Sequence, residues 1–406
     1  MAPAHQQHQQ QQQQQPGAAL LSLLSLLLGP LVLLYGLLRR WRAASPPTVP
    51  RMPSLLELYG RVAAGALKPK LPGSLEGHPR ISVAVDEPVV VDPARLAAYL
   101  RLVKFPADAA AAGGGGGAGG GVDAPAAFIF AEAFRVGMLA MAQPAFPFNV
   151  LGAVLSRSAL RLERPVRAGD ALRLSAEIDP RSYRRNAKGD VEAVVRTVAR
   201  EAGAAAGAED GGGGGPVVWT SELTVLVLDP KRSRGPAGAA KGKAADELQQ
   251  QQQQQAAAPP HLVLAETLSI AGDAGRRYGA LSGDRNPIHL HALSARLFGF
   301  KKPIAHAMYL VGCMEAALRA PPAAAAAGNK KGGGGGGGFA PRYPLTLESE
   351  FKRPTALPAR LRVVLPEAPE GGGGDVVHVA VVEPRGAVVK DVIVGTLRQG
   401  AKAAGK

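Results

Sequence analysis

An acid and an imidazole stand five residues apart at Asp284 and His289, with Asn286 and Pro287 between them. Proline fixes its own φ and disfavours the α region for the residue before it, so the intervening chain is stiff and non-helical. Such a loop can hold two titratable side chains at a set separation. A carboxylate and an imidazole facing one small space can take a proton from water and return one to carbon. Asn286 is the polar group placed to orient the pair, and Tyr278 and Ser282 either touch substrate or brace the loop. His291 lies just past the pair, where an exposed side chain is expected. His306 opens an apolar run and reads as a residue that caps or packs a helix start. An acid and a histidine at this spacing also occur in ordinary turns, so the elements around them must decide.

Residues 126–142, AAFIFAEAFRVGMLAMA, are apolar nearly all round, the pattern of a helix buried in a core, and residues 306–318 repeat it. Val- and Leu-rich strand candidates bounded by turn residues follow the first helix at 150–162, 171–178, 191–200 and 217–228. In the second half they lie at 261–269, 343–352, 361–365, 376–383 and 387–397. Strand material at 78–91 leads to a short helix through Val103, opened by Asp92-Pro93 with an N-cap acid and a first-turn proline. A buried helix followed by antiparallel strands, twice over, predicts an α+β fold. Arg164-Pro165 with Leu172-Arg173-Leu174 recurs 189 residues later as Arg353-Pro354 with Leu361-Arg362-Val363, which points to internal duplication.

A chain of 406 residues with long low-complexity tracts has room for two modest domains. The expected division is a Gln-rich tail at 1–17, a transmembrane anchor at 18–38, an N-terminal domain at 46–230, a linker at 231–260 and a C-terminal domain at 261–400. The lead-in from 46 to 77 is marked by prolines and expected to wrap the surface. Residues 18–38 are 21 without a charge, long enough to span a bilayer, and Arg39, Arg40 and Arg42 follow them. The positive-inside rule then places the bulk of the chain in the cytosol, with the mitochondrion or another organelle as the alternative destination. The formal net charge of +15 suits anionic partners. Nucleic acid is excluded as a partner by 5% aromatics, scattered bases and the lack of a Cys/His finger. The single cysteine, Cys313, excludes an internal disulfide and a Cys-rich metal site. The glycine run at 113–121 follows no strand and carries no nucleotide-binding reading.

Tyr278, Leu281, Ser282, Gly283, Asp284, Asn286, Pro287, Ile288, His289 and Ala295 stand at the defined positions of a known hydratase motif. In this the stretch closely resembles the MaoC-like dehydratases, the (R)-specific enoyl-thioester hydratases. Gly299-Phe300 and Pro303-Ile304-Ala305-His306-x-Met308 resemble the segment that follows in that family, and PFNVLGAV at 147–154 fits its double form. Over 78–398 the resemblance implies a double hot-dog, two long buried helices each wrapped by an antiparallel sheet. It implies that the C-terminal half carries the catalytic loop and that the N-terminal half helps to house an acyl chain. It also implies reversible hydration of trans-2-enoyl thioesters to (3R)-hydroxyacyl thioesters, with Asp284 and His289 acting on one water and no metal or other cofactor. The substrate handle would be CoA or an acyl carrier protein, and a homodimer is possible. The oxyanion donor would be the backbone N–H of Ala307. The family usually has glycine there, and alanine keeps the N–H if its φ is negative. A hot-dog acyl thioesterase and a non-catalytic acyl-thioester-binding subunit are the alternative functions.

Overall fold

The computed structural model describes residues 48–65, 74–106, 122–151, 153–187, 189–203, 215–227, 262–319, 341–366, 376–385 and 388–400. The first half contains β1 (Thr48–Val49), α1 (Leu55–Gly65), β2 (Ile81–Val85), β3 (Val89–Val90), α2 (Pro93–Val103) and α3 (Ala126–Met141). It continues with β4 (Val154–Leu162), β5 (Ala171–Ile178), β6 (Arg184–Arg185), β7 (Val191–Glu201) and β8 (Val217–Val227). The second half contains β9 (Leu262–Ile270), α4 (Ala274–Ser282), α5 (Ala292–Leu297) and α6 (Ala307–Arg319). Strands β10 (Leu345–Phe351), β11 (Ala359–Pro366), β12 (Val376–Arg385) and β13 (Val388–Gln399) close it.

A helix that is apolar on every side must be covered on every side. Helices α3 and α6 achieve this by packing against each other and against one sheet. In α3, Phe128, Ile129 and Val136 are fully buried, each contributing roughly 1.5–3 kcal/mol relative to exposure. The sheet runs β1-β2-β5-β7-β8-β4-β10-β13-β12-β11-β9, with β3 on β5 and β6 on β7. Outward from the β4–β10 seam the two halves have the same plan, β8-β7-β5-β2 on one side and β13-β12-β11-β9 on the other. The seam is antiparallel, pairing Leu162 with Leu345 and Leu160 with Leu347. The repeated Leu172-Arg173-Leu174 and Leu361-Arg362-Val363 fall on the corresponding strands β5 and β11. Duplication is therefore visible in topology as well as in sequence. The fold is the double hot-dog.

The two halves also meet at the start of α3. Pro125 occupies its N-cap position and supplies no side-chain bond. Instead Glu315, on α6, accepts the N–H groups of Ala126 and Ala127 at 3.0 and 3.3 Å. Arg319 lies 3.6 Å from the same carboxylate, and the indole N–H of Trp219 donates to the Ala126 carbonyl at 3.1 Å.

Two expectations change. No helix among the described residues is long and apolar enough to cross a membrane, so the fold class is corrected to the double hot-dog alone, with no support for the expected transmembrane helix. The stretch 18–38 lies outside the described residues, as do 1–17, 113–121 and 231–260. The lead-in does more than wrap the surface, because it forms α1, which buries Leu58 and Val62. Its prolines at 46, 47, 50 and 53 precede the helix and those at 69 and 72 follow it, which leaves the apolar spacing within the helix intact.

Candidate active site

Helix α4 ends at Gly283, whose φ of +81° is the left-handed conformation that a helix C-terminus favours and glycine adopts freely. The chain then folds onto itself through side chains. Ser282 Oγ donates to the Tyr278 carbonyl at 2.9 Å and accepts the Asp284 N–H at 3.1 Å. Asp284 Oδ1 accepts the Asn286 N–H at 3.1 Å, and Asn286 Oδ1 accepts the Ile288 N–H at 3.4 Å. Pro287–His289 form a single 3-10 turn, and His289 ends buried. Each polar residue of the motif thus organises the next.

The loop lies so close to α4 that two positions exclude any side chain. A Cβ at Gly275 would sit 2.0 Å from the His289 carbonyl oxygen, and one at Gly279 would sit 2.6 Å from that of Asp284. Gly275→Ala must push the His289 backbone away. A shift near 1 Å at reacting groups costs about 100-fold in rate. Steady-state assay should show a kcat loss of this order, together with about 1–3 kcal/mol of destabilisation from overpacking. A wild-type kcat would show that the close contact does not position the histidine.

The first half braces the same loop. The hydroxyl of Tyr59, on α1, donates to the Gly283 carbonyl at 3.1 Å and accepts the Arg285 N–H at 2.5 Å. Arg95, on α2, donates to the Leu281 carbonyl at 2.6 Å while its Nε pairs with Glu132 of α3.

His289 Nδ1 lies 2.9 Å from the Ile304 carbonyl oxygen. A carbonyl only accepts, so Nδ1 carries the proton and Nε2 presents a lone pair. His306 Nε2 lies 3.0 Å from the Asp284 carbonyl oxygen, to which it donates, and 3.7 Å from Asp284 Oδ2. The two imidazoles stack at 3.7 Å between centroids, inclined by 27°. One donor atom from each of Asp284, His289 and His306 lies within 4.8 Å of the others, a spacing that could also hold a cation.

Burial pushes the Asp284 carboxyl above its ordinary range, opposed by the charge of His289 and by the Asn286 N–H. Burial lowers His289, opposed by Asp284. His306 is held well down, by burial and then by its stacked neighbour. Two stacked imidazoles cannot both carry charge cheaply, and His306 is the one held neutral.

Ala307 is the first residue of α6, where a backbone N–H has no carbonyl one turn earlier to bond. Among the described non-glycine residues only Lys104 has a positive φ. The methyl of Ala307 therefore imposes no left-handed strain, and the donor is retained. A cavity of about 460 Å³ is lined by Asp284, Asn286, His289, His306 and Ala307 together with Phe130, Phe134, Met138 and Met141 of α3. Those four α3 residues recur at helical spacing and form one apolar stripe.

Of the residues singled out from sequence, Asp284, Asn286, His289, His306, Ala307 and Tyr278 line this cavity, and Ser282 does not. Ser282 is fully buried inside the loop, and both its bonds stay there. His306 reaches into the site as well as preceding its helix. Tyr59, Arg95 and the Ile304 carbonyl escape sequence reasoning because their contacts are purely tertiary. Gly275 and Gly279 carried a readable signal, two glycines four apart in a helix, which marks a close approach.

A double hot-dog with a buried acid–imidazole loop facing an apolar cavity is the arrangement of a hydro-lyase. Comparison with known proteins agrees. The model of the MaoC like domain matches residues 252–331, which span β9 to α6. The 3-hydroxyacyl-thioester dehydratase X of Mycobacterium tuberculosis is 29% identical over 268 residues, covering 66% of this chain and 80% of that protein. The crystal structure of HtdX from the same organism superposes with a TM-score of 0.50 at 22% identity, covering 79% of this chain and all of that one. A further solved structure, a MaoC-like dehydratase, gives 0.57 at 16% identity, covering 81% of this chain and all of that one. Residues 252–331 thus carry a MaoC like domain, and the chain is similar over two thirds of its length to a 3-hydroxyacyl-thioester dehydratase.

Proposed function

We propose that the protein interconverts trans-2-enoyl and (3R)-hydroxyacyl thioesters in fatty-acid metabolism. The observation that carries this reading is the tautomer imposed on His289 by the Ile304 carbonyl, which leaves Nε2 free to accept a proton beside Asp284. In the hydration direction Nε2 takes a proton from a water held by Asp284. The water oxygen bonds to C3, the electrons of the C2–C3 double bond move toward the thioester, and a proton returns from the pair to C2. Dehydration is the reverse.

The charge that develops on the thioester oxygen is met by the Ala307 N–H, assisted by the dipole of α6. A donor so aimed is worth about 3–4 kcal/mol. Asn286 orients the Asp284 carboxylate through its N–H, and the α3 stripe houses the acyl chain. His306 positions Asp284 and flanks His289.

The test is an assay of the full chain with crotonyl-CoA. Loss of enoyl absorbance without release of thiol supports the reading. Release of free thiol would make the protein a thioesterase, and saturable binding with neither change would make it an acyl-thioester-binding subunit.

A further inference from the structure

Helix α5 follows the catalytic loop directly and is fastened to it, since Ser294 Oγ donates to the Pro287 carbonyl at 2.7 Å. Its inner residue, Ala295, is fully buried. Its outer face carries Leu293 and Leu297, one turn apart and 75% and 80% exposed. Among the described residues these are the two large exposed hydrophobics that share one helix. A leucine pair held out in water beside an active site asks for a cover.

The surroundings indicate what covers it. Arg296 on α5 and Lys301 and Lys302 just after it are exposed, as is Arg276, whose guanidinium donates at 3.1 Å to the carbonyl of Leu290, two residues before α5. Between Arg276 and Lys302 the sequence contains one carboxylate, Asp284, which belongs to the site. Lys301 follows Phe300, a residue that lines the catalytic cavity. The face is therefore apolar at its centre, cationic around it and adjacent to the substrate cavity.

We propose that α5 and this cationic rim are the docking surface for an acidic acyl carrier protein, which delivers its thioester on a prosthetic arm into the cavity. This rests on the thioester chemistry proposed above and selects one handle for it. CoA would use the cations but gives two leucines nothing to bury. A protein partner with an acidic, partly apolar helix uses both. Opposite charges speed encounter and fix register, while a small buried apolar pair supplies the contact energy. A bilayer would also accept leucines and cations, but a single six-residue helix with two leucines offers it little area, and it delivers no thioester.

The test compares crotonyl-loaded acyl carrier protein with crotonyl-CoA, using the full chain and the double variant Leu293→Asp with Leu297→Asp. Neither leucine lines the cavity, so CoA turnover also reports whether the variant is folded. The expected result is a fall in kcat/KM of about tenfold or more for the carrier-protein substrate and less than about twofold for CoA, as a docking hot spot predicts. Equal losses on both substrates would show that α5 merely supports the loop and would overturn the proposal, as would no loss on either. Sedimentation with anionic vesicles that depends on the leucines, with carrier-protein kinetics unchanged, would overturn it in favour of a membrane face. Calorimetric binding of unloaded carrier protein, weakened in Arg296→Glu with Lys301→Glu and Lys302→Glu, reads docking without turnover. If the wild type turned over neither thioester, that binding measurement would still decide the docking proposal separately from the hydratase reading.

Discussion

Replacing His289 by alanine is expected to lower kcat for crotonyl-CoA by about 100- to 10,000-fold, with little change in KM, because it removes proton transfer and leaves acyl binding intact. Asp284→Asn should fall in the same range. The two losses should not add, since the groups act on one water and titrate as a pair. The pH profile carries a sign that tests the site directly. His289 must be unprotonated to accept from water, and burial holds it below its ordinary 6.5. The acid limb of kcat/KM should therefore have its midpoint below pH 6.5. Asp284 opposes that lowering, so Asp284→Asn should move the limb further toward acid in whatever activity survives. A wild-type midpoint above 6.5 would mean that a group other than His289 is the base.

Glu315→Ala should produce the largest loss of stability away from the chemistry. The side chain is 1% exposed, accepts two N–H groups at the start of α3 and lies against Arg319. Breaking a buried pair strands the remaining charge and costs about 3–5 kcal/mol. For a domain of this size that corresponds to a fall of roughly 6 °C or more in thermal midpoint. Glu315→Gln keeps one acceptor oxygen for the amides and should lose less. Equal midpoints for wild type and the alanine variant, by calorimetry, would show that the cap contributes nothing. The cap has a chemical side as well. The start of α3 is the duplicate of the start of α6, and a carboxylate from within already occupies its free amides. The start of α3 therefore offers a thioester oxygen neither of these two amides.

Much of this was legible because it is local or periodic. The Asp92-Pro93 signal gave the start of α2, and Asp92 Oδ1 accepts the Ala94 N–H as an N-cap should. Strand β5 runs over Ala171–Ile178 as the apolar content and bounding turn residues predicted, and α3 ends within one residue of expectation. The catalytic loop was readable because proline stiffness and the spacing of its polar residues lie within a dozen positions. Other features were not legible because their partners are remote. Tyr59 bonds to a carbonyl 224 residues away, and no local pattern marks it. The cap on α3 comes from another helix, so no neighbouring residue marks it. Helix α5 has six residues, too few for periodicity to register. The apolar stretch at 18–38 was judged by length and charge alone. Those features measure capacity to span a bilayer and say nothing of its place in a fold.

The seam between β4 and β10 joins two halves with one plan but separate sequences. In a pair of identical subunits, a substitution that widened the acyl cavity would be copied at once beside both reacting centres. Here Phe130, Phe134, Met138 and Met141 lie on α3, whereas Ala307, the oxyanion donor proposed above, lies on α6. Met308 and Leu310 of α6 line the cavity as well, but on the reading proposed above a substitution in the α3 stripe can reshape the acyl space without altering any residue assigned to the reaction.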